Sequence, residues 1–129
     1  MIAIDTNIVV RIFVDDLNTT QVTAARNLVK KAKTIYLTQI VLVEMVWVLS
    51  RAYELNKSQI FSILGEIQNN VAFSVENEKQ FSEAISLYKE YNTDFSDCMI
   101  LAQVKEIGLK QIYSFDKKFQ KIKEVINPA

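Results

Sequence analysis

The order of apolar and polar positions predicts strands that alternate with helices along the chain. Five short runs, rich in apolar and β-branched residues, predict strands at residues 2–4, 34–38, 71–75, 111–115 and, as a short edge strand, 125–126. Between them, apolar residues recur at helical spacing. We expect helices at residues 7–14, 19–33, 40–49, 58–70, 77–91 and 94–107.

Start and stop signals support these helices. Ser58 is suited to cap the fourth helix, and Asn77 followed by Gln80 resembles a capping box for the fifth. The sixth helix has acidic residues at its start, and Gly108 suits its end. There is no linker, repeat or low-complexity segment. We therefore expect residues 1–129 to form a single α/β domain with a mainly parallel sheet of four or five strands.

Composition excludes several kinds of chemistry. The chain has no histidine, so histidine-based catalysis and the commonest zinc ligand are excluded. With only two glycines, it has neither a dinucleotide-binding fingerprint nor a P-loop. A lone cysteine, Cys98, forms no intramolecular disulfide, and the N-terminus resembles no signal peptide, so we expect a cytoplasmic protein. The longest apolar run is too short for a membrane span.

Charge is balanced, but one acidic residue lies in an unusual place. Lys and Arg total 15, as do Asp and Glu, so a polyanion would need a local basic patch or a bound cation. Glu44 is the single charge within the apolar run 40–49, and no basic residue lies three or four positions away. Burial of an unpaired carboxylate costs several kcal/mol. Either this face of the helix is exposed, or a distant group or cation meets Glu44.

Three more acids lie where a ligand site is expected. Asp5 and Asp116 each follow a predicted strand, and Asp97 lies in the first turn of a helix. Ligands of parallel α/β sheets bind at the carboxyl ends of the strands, where the helices also begin. These three acids and Glu44 could therefore converge. Clustered carboxylates favour a hard cation, so we expect Mg²⁺ or Mn²⁺.

A divalent cation would suit hydrolysis of a phosphodiester, because it activates water and neutralises phosphate oxygens. Basic residues would then hold the nucleic acid, and sequence proximity selects Arg11, Arg51, Lys117 and Lys118. Each acid also has a simpler explanation. Asp5 or Asp94 could only cap a helix, Asp97 could only complement a helix dipole, Asp116 could be a solvated loop residue, and Glu44 could lie on an exposed face.

The chain resembles the PIN-domain ribonucleases, in particular the VapC-type toxins of bacterial toxin–antitoxin pairs. The matching segments are IAIDTNIVV at 2–10, VLVEMVWVL at 41–49, DFSDCMILAQ at 94–103 and YSFDKKF at 113–119. Ser114 stands where the family usually has threonine, and Cys98 where it often has alanine. The resemblance implies a three-layer α/β/α sandwich with a mainly parallel sheet.

The resemblance also implies an activity and a site. Asp5, Glu44 and Asp97 would bind the metal and Asp116 would complete the site. Thr6, Asn7, Ser114 and Asp94 would be supporting polar groups. The protein would be a magnesium-dependent endoribonuclease, a homodimer, and the target of a small antitoxin that occupies the active-site groove. These partners rest on analogy.

Other functions remain open. A receiver-like signalling module also holds magnesium in an acidic crevice, but it needs an aspartate at the end of a central strand, and TIYLT and VAFSV end without one. A phosphatase with a D-x-D motif is disfavoured because Asn7 replaces the second acid. A PIN-like module that binds without catalysis would keep the fold and lack the activity.

Overall fold

The computed structural model describes all residues from 1 to 129. The chain divides into two compact units, Met1–Glu76 and Asn77–Ala129, which are described separately below. The boundary lies between a strand and the helix that follows it. The expectation of a single domain over residues 1–129 stays a prediction.

The first unit contains three strands and four helices in alternating order. They are β1 (Ile2–Ala3), α1 (Thr6–Phe13), α2 (Thr19–Lys31), β2 (Ile35–Leu37), α3 (Gln39–Arg51), α4 (Lys57–Asn69) and β3 (Phe73–Val75).

These three strands form a parallel sheet in the order β1-β2-β3. Ile2 pairs with Ile35, and Ile35 pairs in turn with Phe73. Each connection contains a pair of helices, as parallel pairing requires, because a parallel strand can be reached only by a crossover. The carboxyl ends of β1, β2 and β3 consequently meet at one edge of the sheet.

The core of the first unit is aliphatic. The middle strand β2 is buried at both Ile35 and Leu37, which explains its uninterrupted apolar character. Helix α1 contacts α2 and α3, and α3 also contacts α4. The inner face of α3 is fully buried at Leu42, Met45 and Leu49, residues spaced three or four apart.

The second unit contains two helices, a 3-10 turn and two strands. They are α5 (Glu78–Glu90), α6 (Phe95–Glu106), β4 (Ile112–Tyr113), the 3-10 turn (Phe119–Lys121) and β5 (Val125–Ile126). Helices α5 and α6 pack together, with the rings of Tyr88 and Phe95 edge to face at 5.5 Å. Strands β4 and β5 pair in parallel. Helix α6 ends two residues before Gly108, whose φ of 87° favours glycine.

The α/β class and the parallel pairing of strands are confirmed. All five predicted strands are present, but they hydrogen-bond in two groups, three strands in the first unit and two in the second. Several are shorter than predicted: the run 111–115 contributes only Ile112–Tyr113 to β4. None of the six helices is both long and apolar enough to cross a membrane.

One capping prediction is wrong and another is confirmed. Helix α4 is capped by Asn56, in a reciprocal capping box with Gln59, and Ser58 already lies inside the helix. Asn77 does cap α5, because its side chain accepts a hydrogen bond from the backbone N–H of Gln80 at 2.9 Å. The Asn-x-x-Gln spacing is the same in both helices.

Candidate active site

Asp5 lies just beyond β1, where its side chain caps α1. Its Oδ1 accepts a hydrogen bond from the backbone N–H of Ile8 at 3.2 Å. Asp5 therefore does cap a helix, as the simpler explanation stated, but this bond occupies only one of its two oxygens. A carboxylate has two oxygens, and the cap uses one lone pair of one of them. Capping consequently fixes the orientation of Asp5 without excluding a cation as a second partner.

Asp5 and several residues of α1 line a cavity of about 430 Å³ between α1 and α2. Thr6 begins α1 and is half-buried, whereas Asn7 is exposed. Asn7 and Arg11 contribute to the wall from α1, and Leu28 contributes from α2. The D-T-N segment thus places one acid and one amide at the edge of a groove of ligand size.

Arg11 already has partners within the first unit. Its Nε lies 3.1 Å from Oδ2 of Asp16, its Nη1 donates to the carbonyl oxygen of Asn7 at 2.9 Å, and its side chain is 18% exposed. The hydroxyl of Tyr53 donates to the same Asp16 oxygen at 2.8 Å. The pKa of Asp16 is lowered by this hydrogen bond, with a smaller contribution from Arg11. Arg11 therefore joins the end of α1 to the following loop, and its contact with RNA stays a prediction.

Glu44 lies on the outer face of α3 and is exposed. It makes no hydrogen bond and no salt bridge. Its neighbours along the same stripe, Ile40 and Trp47, are 72% and 61% exposed, and Arg51 is exposed one turn further on. Glu44 is therefore exposed, so no burial cost attaches to this charge, and its role as a metal ligand stays a prediction. The apolar run is explained instead by the inner face of α3, which includes Met45.

The second unit places Asp97 among other acids. Asp97 is half-buried in the first turn of α6, and its Oδ2 accepts a 3.4 Å hydrogen bond from the hydroxyl of Thr93. Burial raises the pKa of Asp97, the negative charges of Asp94 and Asp116 raise it further, and the bond from Thr93 lowers it. Three of the predicted acidic residues are therefore close enough to interact electrostatically.

Asp94 and Asp116 differ in how they are held. Asp94 occupies the N-cap position of α6, yet its side chain makes no capping hydrogen bond. Asp116 Oδ1 accepts from the backbone N–H groups of Lys118 and Phe119, at 2.8 and 3.1 Å. The N–H of Asp116 donates to the hydroxyl of Ser114 at 3.0 Å, so Ser114 supports the loop that carries this acid.

The donor set fits a hard divalent cation. All the candidate ligands are carboxylate oxygens, the donors that Mg²⁺ and Mn²⁺ prefer. A cation beside Asp97 would relieve the repulsion that raises its pKa. No three acidic or cysteine side chains form a group that could hold a metal ion. Asp5 and Glu44 belong to the first unit, and Asp97 and Asp116 belong to the second.

Two polar residues near the candidate site, Glu76 and Thr93, were not predicted from the sequence. Glu76 follows β3, and its Oε1 accepts a 3.2 Å hydrogen bond from the N–H of Gln39, the first residue of α3. Its own N–H donates to the carbonyl of Leu37 at 3.1 Å. Its position just after a strand resembles that of Asp5, so the sequence did carry a signal for it. Thr93, the partner of Asp97, is buried, and only its nearness to Asp97 in sequence pointed to it.

The chain is thus an α/β protein whose parallel strands are followed by acidic residues. This arrangement agrees with the resemblance of its motifs to PIN-domain proteins. Residues 2–125 match the model of the PIN domain, and the chain belongs to this family. The match favours the PIN resemblance over the receiver-like alternative.

Two known proteins are similar to the chain. A VapC ribonuclease of Aquifex aeolicus (strain VF5) is 29% identical over 100 residues, which cover 77% of this chain and 74% of that protein. Among solved structures, the Mycobacterium tuberculosis toxin VapC20, described as cleaving the sarcin–ricin loop, covers 94% of both chains at 20% identity, with a TM-score of 0.46.

Proposed function

We propose that this PIN-domain protein is an endoribonuclease that depends on Mg²⁺ or Mn²⁺ and hydrolyses RNA phosphodiester bonds. The observation that carries the proposal is the environment of Asp97. Burial and, to a smaller extent, the negative charges of Asp94 and Asp116 raise the pKa of this carboxylate, so its ionised form is disfavoured in the absence of a cation. Such a perturbed acid is typical of a functional site. The similarity to a VapC ribonuclease supports RNA as the substrate.

In this proposal residues 1–129 act as one catalytic domain. Asp5, Glu44, Asp97 and Asp116 hold the cation. Asp5 and Asp116 are oriented by the backbone N–H groups that they accept from. When bound, a divalent cation lowers the pKa of a water molecule and neutralises phosphate oxygens. The products are a 5′-phosphate and a 3′-hydroxyl. The supporting residues are Thr6, Asn7, Asp94 and Ser114, which shape the approach to the acids.

The biological setting is also part of the proposal. We infer that the protein is the toxin of a cytoplasmic toxin–antitoxin pair, inhibited by a small antitoxin protein, and that it forms a homodimer. The similarity to a VapC ribonuclease supports this setting. Co-expression with the product of a neighbouring short reading frame should relieve growth arrest and give a stable complex. Sedimentation of the purified protein measures the dimer.

The central experiment is a cleavage assay with the purified chain, free of antitoxin. Mixed cellular RNA is incubated with Mg²⁺ or Mn²⁺, and with EDTA as the metal-free control. We expect cleavage only with the metal, and loss of cleavage in Asp97→Asn. Glu66→Gln is the matched control, because it also removes one negative charge but changes an exposed acid whose partner, the side-chain amide of Asn70, can still donate.

Two outcomes would contradict the proposal. If RNA stays intact with either metal while the protein is folded, the chain is a PIN-fold binding module without catalysis. If Asp97→Asn and Glu66→Gln cleave equally well, the cleavage does not depend on the proposed site.

A further inference from the structure

Glu76 holds the start of α3 from a neighbouring strand. Its Oε1 accepts a 3.2 Å hydrogen bond from the N–H of Gln39, the first residue of that helix. The first N–H groups of a helix have no partner within the helix, and Gln39 is only 7% exposed, so water is a poor substitute there. Glu76 therefore supplies an acceptor that burial makes necessary, although it lies 37 residues away in sequence.

The hydrogen bonds of the sheet fix the place of Glu76. Leu37 pairs with Val75, and the N–H of Glu76 donates to the carbonyl oxygen of Leu37 at 3.1 Å. The pairing of β2 with β3 therefore reaches Glu76 and brings it beside Thr38, the residue before α3. Parallel pairing thus carries a carboxylate at the end of one strand to the start of the helix that follows the other strand.

Helix α3 is consequently capped twice, and the two caps differ in reach. Thr38 is the local cap, because its hydroxyl oxygen accepts the N–H of Val41 at 3.2 Å. This bond shapes the first turn but ties α3 to no other element, since Thr38 and Val41 belong to the segment that runs directly from β2 into the helix. The bond to Glu76 does tie α3 to a second strand, β3. Helix α5 does not need Glu76, because Asn77 caps it.

The placement of α3 matters because this helix carries Glu44. Glu44 lies five residues after Gln39, about 7.5 Å along the helix axis at about 1.5 Å per residue. Its side chain is exposed and has no salt-bridge partner, so the backbone of α3 decides where its carboxylate can reach. Helix α3 also contacts α1, which Asp5 caps. A shift of α3 would therefore move Glu44 relative to Asp5, the other proposed ligand in the first unit.

We propose that Glu76 is a positioning residue, which places Glu44 for cation binding by holding the start of α3 against β3; this role rests on the proposed nuclease function. Glu76 acts through the acceptor oxygen of its side chain and is not itself a ligand of the cation. Hydrogen-bond partners that orient the ligands of a metal typically contribute roughly 10- to 100-fold to metal affinity or activity.

Glutamine and alanine at position 76 separate the acceptor from the charge. Glu76→Gln keeps an oxygen that can accept the N–H of Gln39 and loses the negative charge, whereas Glu76→Ala loses both. A positioning residue tolerates the first change and not the second. A direct ligand of the cation tolerates neither, because its charge contributes to binding.

The test measures Mn²⁺ binding and RNA cleavage on the same preparations of the full chain. Mn²⁺ is titrated into the protein without RNA, and the free ion is followed by electron paramagnetic resonance. We expect Glu76→Ala to weaken Mn²⁺ binding about tenfold, and Glu76→Gln to stay within about twofold of the parent. The Mn²⁺ concentration that gives half-maximal cleavage should rise in Glu76→Ala by the same factor.

Asn56→Ala is the matched control for a loss of stability. Asn56 caps α4 by accepting the N–H of Gln59 at 2.9 Å, and it belongs to no proposed site. This variant should be destabilised about as much as Glu76→Ala and still bind Mn²⁺ like the parent. Amide hydrogen exchange reports on the bond itself. Exchange of the Gln39 N–H should become faster in Glu76→Ala and stay slow in Asn56→Ala.

The outcomes distinguish this role from the nuclease function. If Glu76→Ala binds Mn²⁺ as tightly as Asn56→Ala does, Glu76 only stabilises the helix and the positioning role is refuted. If Glu76→Gln loses as much affinity as Glu76→Ala, Glu76 is itself a ligand, which also overturns the proposal. If the parent binds Mn²⁺ and leaves RNA intact, the nuclease function fails, and the binding data still decide the role of Glu76. If the parent binds no Mn²⁺, both proposals fail.

Discussion

Replacing Asp5 with asparagine and with alanine should separate the two tasks of this carboxylate. One task is structural, because Oδ1 accepts the N–H of Ile8 and caps α1. The other is the proposed binding of a cation. Asparagine keeps an oxygen acceptor in the same position and loses the charge, while alanine loses both. We expect neither variant to cleave RNA, and only Asp5→Ala to be appreciably destabilised.

The size of the destabilisation follows from the cap. Replacing an N-cap aspartate by alanine costs about 1 kcal/mol, whereas asparagine is about as good a cap as aspartate. The unfolding entropy is about 2.1 cal/mol/K per residue, which for the 129 residues gives about 0.27 kcal/mol/K. Asp5→Ala should therefore lower Tm by about 4 °C. Loss of the charge at the helix N-terminus costs Asp5→Asn a few tenths of a kcal/mol, or about 1 °C.

The assay pairs calorimetry with the cleavage assay on the same preparations. Asn56→Ala serves as the control, because Asn56 caps α4 by the same kind of bond, to the N–H of Gln59 at 2.9 Å. It should lose about as much stability as Asp5→Ala and still cleave RNA. Asp5 does not have these two tasks if Asp5→Asn unfolds as early as Asp5→Ala, or if either variant retains full cleavage with Mg²⁺.

Three further predictions concern the first unit. Met45 is fully buried, so Met45→Ala should lower the free energy of unfolding by about 2–5 kcal/mol in a urea titration; a loss below about 1 kcal/mol would contradict its place in the core. Glu76→Ala removes the acceptor of the Gln39 N–H and should cost about 1 kcal/mol, whereas Glu76→Gln should cost less; equal Tm values for both variants would contradict a role for this bond. The Tyr53 hydroxyl lowers the pKa of Asp16, so the stability from this pair is present above the ordinary carboxyl range and is lost as pH falls through the lowered pKa. Urea titrations should accordingly find Tyr53→Phe less stable than the parent near pH 7, with a difference that shrinks in strong acid; a constant difference would refute the linkage.

Local patterns predicted the elements of the fold well, and their exact ends less well. The periodicity of α5 and the glycine after α6 are local signals. They predicted the helix α5 and the end of α6, and both predictions are confirmed. Helix α4 begins one residue before Ser58, because its cap is Asn56, which with Gln59 has the reciprocal spacing of a capping box. The grouping of strands into three and two depends on backbone hydrogen bonds between distant segments, which no local pattern encodes.

The residues of the candidate site also divide into those with local signals in the sequence and those that depend on contacts between distant segments. Asp5 and Asp116 could be found because each follows an apolar strand, and their hydrogen bonds are formed within three residues along the chain. The bond from Gln39 to Glu76 spans 37 residues, so it depends on how β2 and β3 pair. For Glu44, the apolar neighbours suggested a buried charge. A helix with one buried face can carry apolar residues on its exposed face as well, and here it does at Ile40 and Trp47.

The four acids proposed to bind the metal are therefore held in two different ways. Asp5 and Asp116 have their carboxylates fixed by backbone N–H groups, which orient them before any ligand arrives. Glu44 makes no hydrogen bond, and Asp97 accepts only a long one from Thr93. Fixed ligands reduce the entropy that binding must overcome, while mobile ligands can adjust to the coordination that a small cation demands. Each unit therefore carries one proposed ligand that is oriented in advance, Asp5 in the first and Asp116 in the second, and one that can adjust to a cation, Glu44 in the first and Asp97 in the second.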